Sequence, residues 1–199
     1  MAGRTALILI DMQNDIAHPE GRLFVPDAAH RTGAMGLVLD AFREVRQPVI
    51  HAVRSHRGDG WDAERFRVPN FEAGRGFLIE GTWGRQIVDR LTPEPGEPIV
   101  VKRRFSAFMG TELDLLLRRA RVERLVVGGV SLPNSPRATI FDAISLDYDV
   151  TVIEDGMATA SDETRLANIK DLQAVGVRVA IAQEIVGEIH RAAERAAQN

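Results

Sequence analysis

The rhythm of the apolar runs constrains this chain most. Leu7-Ile8-Leu9-Ile10 is apolar at every position, so a strand there is buried on both faces. Similar short runs recur at Pro48 to Val53, Ile99 to Val101, Arg124 to Val127, Val150 to Ile153 and Val177 to Ala180. Helical patterns separate them: Ala34 to Arg46, Glu112 to Arg119, Ala138 to Leu146, Glu163 to Ala174 and Gln183 to Ala197. In the first of these helices, Leu37, Leu39, Phe42 and Val45 read as the apolar stripe. Strands alternating with helices predict a mostly parallel six-stranded sheet covered on both faces. With right-handed crossovers this becomes a three-layer α/β/α, Rossmann-like fold. The 199 residues suit one domain, 1–199, with a sizeable core.

One stretch departs from the rhythm. Ser55 to Gly81 carries six Gly or Pro residues and many charges, yet also Trp61, Phe66, Phe71 and Phe77. A connection of that length points to a lid or interaction loop near a site.

A net charge of -3 gives no basic footprint for nucleic acid. The apolar runs fall far short of the roughly 20 residues that span a bilayer. Met1-Ala2-Gly3-Arg4 lacks the features of a signal peptide, so a cytoplasmic location is the expectation. Cysteine is absent, which excludes disulfides and thiolate metal sites. Of 25 cationic residues only Lys102 and Lys170 are lysine. A chain that writes Arg almost everywhere but keeps a Lys invites a chemical reason, because a desolvated Lys can trade protons and Arg cannot. Lys102 follows an apolar strand and fits that role; Lys170 lies on a helical surface pattern and does not.

Ligands on an open parallel sheet bind beyond the carboxyl ends of the strands. Four segments follow strands there: Asp11 to Asp15, Arg54-Ser55-His56, Lys102 to Phe108, and Gly128 to Pro136. Each has an ordinary structural reading. Asp11 can cap a turn. Ser135 before Pro136 reads as an N-cap with Pro at the first helical position. That reading is compatible with a functional one, because a helix N-terminus also stabilises a nucleophile or an anion.

Three motifs, in order and at the right spacing, resemble the isochorismatase-like cysteine hydrolases. They are Leu9-Ile10-Asp11-Met12-Gln13-Asn14-Asp15, Val101-Lys102-Arg103-Arg104-Phe105-Ser106-Ala107-Phe108 and Gly129-Val130-Ser131-Leu132-Pro133-Asn134-Ser135. The resemblance spans roughly residues 5 to 182 and favours the amidohydrolase branch, which is similar to N-carbamoylsarcosine, ureidoacrylate and streptothricin hydrolases. It implies an Asp-Lys-Cys triad, with Asp11 as general base, Lys102 as cationic partner and Ser135 in the seat of the Cys nucleophile. It also implies a cis peptide at Val130-Ser131 and an oxyanion hole from the N–H groups of Ser131 and Ser135. Gln13, Arg54 and Asn134 are the expected polar contacts to substrate. Arg54 has two readings, a bidentate partner for a substrate carbonyl or carboxylate, or a salt bridge within the loop. Trp61, Phe66, Trp83, Phe105 and Phe108 are candidate apolar walls, or core.

Relatives that bind a metal carry Asp-x-His after the second strand, where this chain reads Arg54-Ser55-His56. The resemblance therefore implies no metal, no cofactor and no nicotinamidase activity, and His56 reads as a surface or loop residue. The implied partner is a small-molecule amide, with no nucleic acid and no membrane, and a homo-oligomer (dimer or tetramer) is expected. Ser in the Cys seat should leave a carbon–nitrogen hydrolase weak or inactive, because a hydroxyl ionises far less readily than a thiol. An introduced Cys-to-Ser change and a natural Ser are both open, and the total lack of Cys fits the first. Two other functions remain open. One is isochorismatase-type cleavage of a vinyl ether, which needs no Cys. The other is a silent small-molecule binding protein.

Overall fold

The computed structural model describes residues 4–198. Its strands are β1 (Arg4–Ile10), β2 (Val49–Arg54), β3 (Ile99–Lys102), β4 (Val122–Gly129), β5 (Asp149–Met157) and β6 (Arg178–Ala180). They form one sheet in the order β3-β2-β1-β4-β5-β6. Every pairing is parallel, so the sheet is wholly rather than mostly parallel. The helices are α1 (Asn14–Ala17), α2 (Pro26–Glu44), α3 (Val68–Glu72), α4 (Leu113–Arg119), α5 (Ser135–Ser145), α6 (Asp162–Ala174) and α7 (Ala182–Ala197).

The period of two along each strand distributes the apolar runs between two cores. Leu7 and Leu9 of β1 join Met35, Val38, Leu39 and Phe42 of α2 and Ile185 of α7. Ala6, Ile8 and Ile10 face the other way, onto Leu113 and Leu117 of α4, Ile140 of α5 and Leu172 of α6. Both faces of the sheet are therefore covered, as continuous apolar strands require.

Three sequence expectations change. The first long helix begins at Pro26 rather than Ala34, with Pro in the first turn and Asp27 beside it. Its buried stripe is Met35, Val38, Leu39 and Phe42, the i, i+3, i+4, i+7 set; Leu37 falls off that phase and is 51% exposed. Helix α5 begins at Ser135 itself, with Asn134 as N-cap, so Ser135 is a helical residue and not the cap. Residues 55–81 are a packed segment. Phe71, Phe77 and Leu78 are buried, α3 lies within it, and the Asp15 carboxylate accepts the Leu78 N–H at 2.5 Å.

The carboxyl ends of β1 and β4 lock together where the site forms. Val130 donates to the Ile10 carbonyl at 3.1 Å, and Ala158 donates to that of Gly129 at 3.1 Å. Gly129 has φ +151°, and a Cβ there would lie 2.3 Å from the Ile10 carbonyl oxygen. Only glycine meets both demands. Gly129→Ala should therefore cost about 2–3 kcal/mol of stability. The denaturation midpoint should fall with little change in slope; an unchanged midpoint would contradict this packing.

Candidate active site

In this strand order the direction in which strands are added reverses between β1 and β4, and loops leaving those two strands open a crevice. Register carries the neighbouring strands to the same level. Ile10 pairs with Ala52 on one side and Gly129 on the other, and Arg54 pairs with Lys102. Asp11, Arg54, Lys102 and the start of α5 are thereby gathered from four distant parts of the sequence. Asp11 adopts φ 55°, a left-handed conformation that Asp tolerates better than most residues. Its N–H donates to the Ala52 carbonyl at 2.9 Å.

Lys102 is 0% exposed. Its ammonium donates to Asp11 Oδ2 at 2.9 Å, Ser135 Oγ at 3.0 Å and the Arg104 carbonyl at 3.3 Å. Three acceptors use all three ammonium protons. Burial still pushes the group down from 10.5 to about 8; Asp11 opposes the fall and Arg54 adds to it. The second carboxylate oxygen of Asp11, Oδ1, is buried without a partner among the described residues. A buried bare acceptor is costly, and at a site of chemistry it is the atom free to take a proton.

Ser135 Oγ accepts from Lys102, and Arg54 Nη2 stands at 3.5 Å. Among the described residues no carboxylate or imidazole accepts a hydrogen bond from this hydroxyl. Two cationic donors are enough to favour a thiolate, whereas a hydroxyl is so much weaker an acid that it also needs a base in contact. Thr139 Oγ1, one turn on, donates to the Ser135 carbonyl at 2.8 Å and accepts from the Ala107 N–H at 2.9 Å. It ties the segment after β3 to the start of α5. The Val130–Ser131 peptide is cis. The backbone N–H groups of Ser131 and Ser135 donate no hydrogen bond among the described residues.

A pocket of ≈ 200 Å³ is lined by Asp11, Arg54, Ser131, Asn134 and Ser135 together with Ile16, Leu23, Val25, Arg67, Leu78, Phe105 and Val130. Asn134 is exposed at its rim. Gln13 is not in the wall. Its side chain is spent on the backbone, accepting from the Arg54 N–H at 2.8 Å and donating to the carbonyls of Arg54 at 2.8 Å and Arg85 at 2.7 Å. These bonds hold the backbone of Arg54. Arg54 makes the loop salt bridge, to Glu64, and still reaches Ser135. Of the candidate aromatic walls, Phe105 lines the pocket, under Arg54 at 5.0 Å. Trp61, Phe66 and Trp83 are exposed, and Phe108 stacks on Tyr148.

Sequence reasoning missed Glu64 and Arg67. Their spacing of three, in a stretch without helical periodicity, gave no signal that both turn inward. His56, expected at the surface or in a loop, lies in the segment after β2 and is not at the surface. It is buried against Phe71 and Phe77, 3.5 Å from Asp62, and burial holds it down at about 4. Among the described residues no group of three or more His, Cys, Asp or Glu is placed to hold a metal ion. No described helix is long and apolar enough to cross a membrane.

Residues 5–197 match the family model of the isochorismatase domain. An Arabidopsis thaliana protein named probable inactive nicotinamidase is 40% identical over 184 residues, 87% of this chain and 90% of that protein. An isochorismatase family protein from Desulfovibrio vulgaris subsp. vulgaris strain Hildenborough superposes with TM-score 0.90 at 40% identity, covering 94% of this chain and 99% of that one. N-carbamoylsarcosine amidase from Thermoplasma acidophilum does so with TM-score 0.76 at 27% identity, covering 90% and 96%.

The buried ammonium has a direct signature. Nuclear magnetic resonance of ε-labelled lysine has only two residues to resolve, and Lys102 should titrate near 8. Because the folded value lies below the unfolded one, the unfolded chain holds the extra proton between about 8 and 10.5. Stability should therefore rise with pH through that window as far as this group is concerned, and the full cost is present below it. A Lys102 midpoint at 10 or above would contradict the burial.

Proposed function

Since this chain belongs to the isochorismatase domain family and is a hydrolase of that family, we propose that its site is built to hydrolyse a carbon–nitrogen amide, ureido or lactam bond in a small molecule. The observation that carries the reading is the Asp11–Lys102–Ser135 chain of hydrogen bonds at the pocket floor. With sulfur at position 135, the thiol is acidic enough to ionise beside Lys102, its proton passing to Asp11 along that chain, and the thiolate attacks the carbonyl carbon. The N–H groups of Ser131 and Ser135, free of other bonds, receive the oxyanion. Asp11 then returns the proton to the leaving nitrogen as the carbon–nitrogen bond breaks. Water, deprotonated by the same carboxylate, splits the thioester and restores the thiol.

With oxygen at position 135 the cycle stalls at its first step. The hydroxyl faces two cations and has no base in hydrogen-bond contact, so the Ser form is expected to bind substrate and turn it over poorly or not at all. A silent binding role for this chain gains support from that same feature. The name of the Arabidopsis relative, probable inactive nicotinamidase, agrees with it.

Ser135→Cys should raise ammonia release on small amides, ureides or lactams at least about 100-fold, the scale of a recovered general-base step. Asp11→Asn in the Cys form should remove the gain. No gain across the panel, with vinyl ether cleavage by the Ser form that Asp11→Asn abolishes, would instead establish isochorismatase-type chemistry. Tight binding with no turnover by either form would leave the binding role.

A further inference from the structure

The opposite end of the sheet holds a cavity that the chemistry at Ser135 does not touch. It lies between the amino ends of β1, β4, β5 and β6 and the second half of α7, with a volume of ≈ 1050 Å³ against ≈ 200 Å³ at Ser135. On the face of the sheet that meets α7, Leu7, Val126, Ile153 and Ala180 belong to the core. Two residues earlier in each strand the same face carries Thr5, Arg124, Thr151 and Arg178. Register sets Thr5 beside Arg124 and Thr151 beside Arg178, so the core ends along a polar row. A sheet end that simply met water would need no cover there. Yet α7 runs on past its last buried residue, Ile189, for about two further turns to Ala197. The residues it lays over the polar row, Ala192 and Ala196, are small, so the floor is roofed but the space is not filled.

The walls are of two kinds. Val126, Ile185, Ile189 and the two alanines supply apolar surface, while Arg124, Arg178 and Arg195 supply three guanidinium groups and Glu188 one carboxylate. Arg178 spans floor to roof and gives Glu188 both terminal nitrogens, at 2.8 and 2.6 Å, so those two charges cancel. Arg124 donates Nε to Thr5 Oγ1 at 3.1 Å, and both Arg124 and Arg195 are engaged within the protein. A guanidinium carries five donors, and one or two bonds leave others to offer. We infer that this cavity binds an amphiphilic anion, an alkyl chain ending in a carboxylate, with the carboxylate toward Arg124 and Arg195 and the chain under α7. An inorganic anion would leave the apolar roof wet, and a neutral hydrocarbon would strip water from the polar floor without replacing it. A ligand with one charged end satisfies both surfaces. The volume lies at the top of the roughly 300–1,000 Å³ range of ligand pockets, room for an extended chain. Nothing in this assignment depends on the reaction at Ser135.

Binding to the full chain tests it, with decanoate below its micelle concentration as the probe and decan-1-ol as its neutral match. In two-dimensional nuclear magnetic resonance, decanoate should shift the amides of Thr5, Thr151, Ile189 and Ala192 and leave those of Asp11 and Ser131 in place. Calorimetry should give decanoate the tighter binding by about 10-fold or more, the scale of a hydrogen bond to a charged group. Arg124→Gln or Arg195→Gln should shrink that ratio. Ala192→Phe, on the exposed end of α7, should fill the cavity and abolish binding in a chain that still folds. The shift map of the unaltered chain needs no variant, so it decides the matter if the substitutions unfold the protein. Shifts confined to the crevice at Ser135 or spread over the whole chain, no binding, equal or tighter binding of decan-1-ol, a ratio unmoved by both arginine variants, or full affinity in Ala192→Phe would each overturn the inference. So would equal shifts with inorganic phosphate, or decanoate binding lost as protein concentration rises, which would place a second copy of the chain in the cavity.

Discussion

Lys102 must find three acceptors inside the protein, because it has no water to use. An ammonium with no exposure is among the most expensive groups a fold can carry, and removing any partner leaves an unpaired charge in a low-dielectric interior. The acceptors it uses come from the end of β1, the start of α5 and the turn after β3. Those three places are brought together by the parallel register and by the crossover from β3 that sets β4 beside β1. The ion pair with Asp11 is therefore both a consequence of the topology and a demand on it. If the strand ends slip, the charge is stranded.

The same cation sets what the neighbouring atom can do. Lys102 and Arg54 donate to the hydroxyl, and the same two cations would lower the free energy of a negative sulfur. A serine in this position accepts from Lys102 and has no base in hydrogen-bond contact among the described residues. Binding and chemistry thus come apart at position 135. The pocket, the free N–H groups and the arginines need no thiol, whereas the proposed attack does. Around them the segment 55–81 acts as a second wall. It supplies Glu64 and Arg67, and Asp15 anchors it through the Leu78 N–H. The long excursion between β2 and β3 is in this sense part of the site and not a spacer.

The sheet was legible because β-strands buried on both faces must be apolar at every position, a pattern helices on the surface do not share. Leu7 to Ile10 announces itself in that way. The start of α2 was not legible, because Pro26 to Gly33 carries little apolar periodicity; it has Pro in its first turn, Asp27 beside it and no side-chain cap. Asp11 and Lys102 stood out by residue type at strand ends. His56, Glu64 and Arg67 did not, since polar residues in an irregular stretch read as solvated until a second layer is packed over them. Gln13 shows the converse. Its position in a motif suggested a ligand contact, and its amide is consumed by the backbone of Arg54 and Arg85.

By itself, then, the sequence determined the layer architecture, the strand ends at which chemistry could sit and the atom present at position 135, because these follow from local periodicity and residue identity. Only the tertiary structure decided that Ser135 meets two cations and no base, that one oxygen of Asp11 is left bare, and that Glu64 and Arg67 turn inward. Those are facts about distances between segments up to 91 residues apart in sequence. No local pattern encodes them, since they arise when crossover connections bring strand ends side by side and burial makes each unpaired polar atom costly.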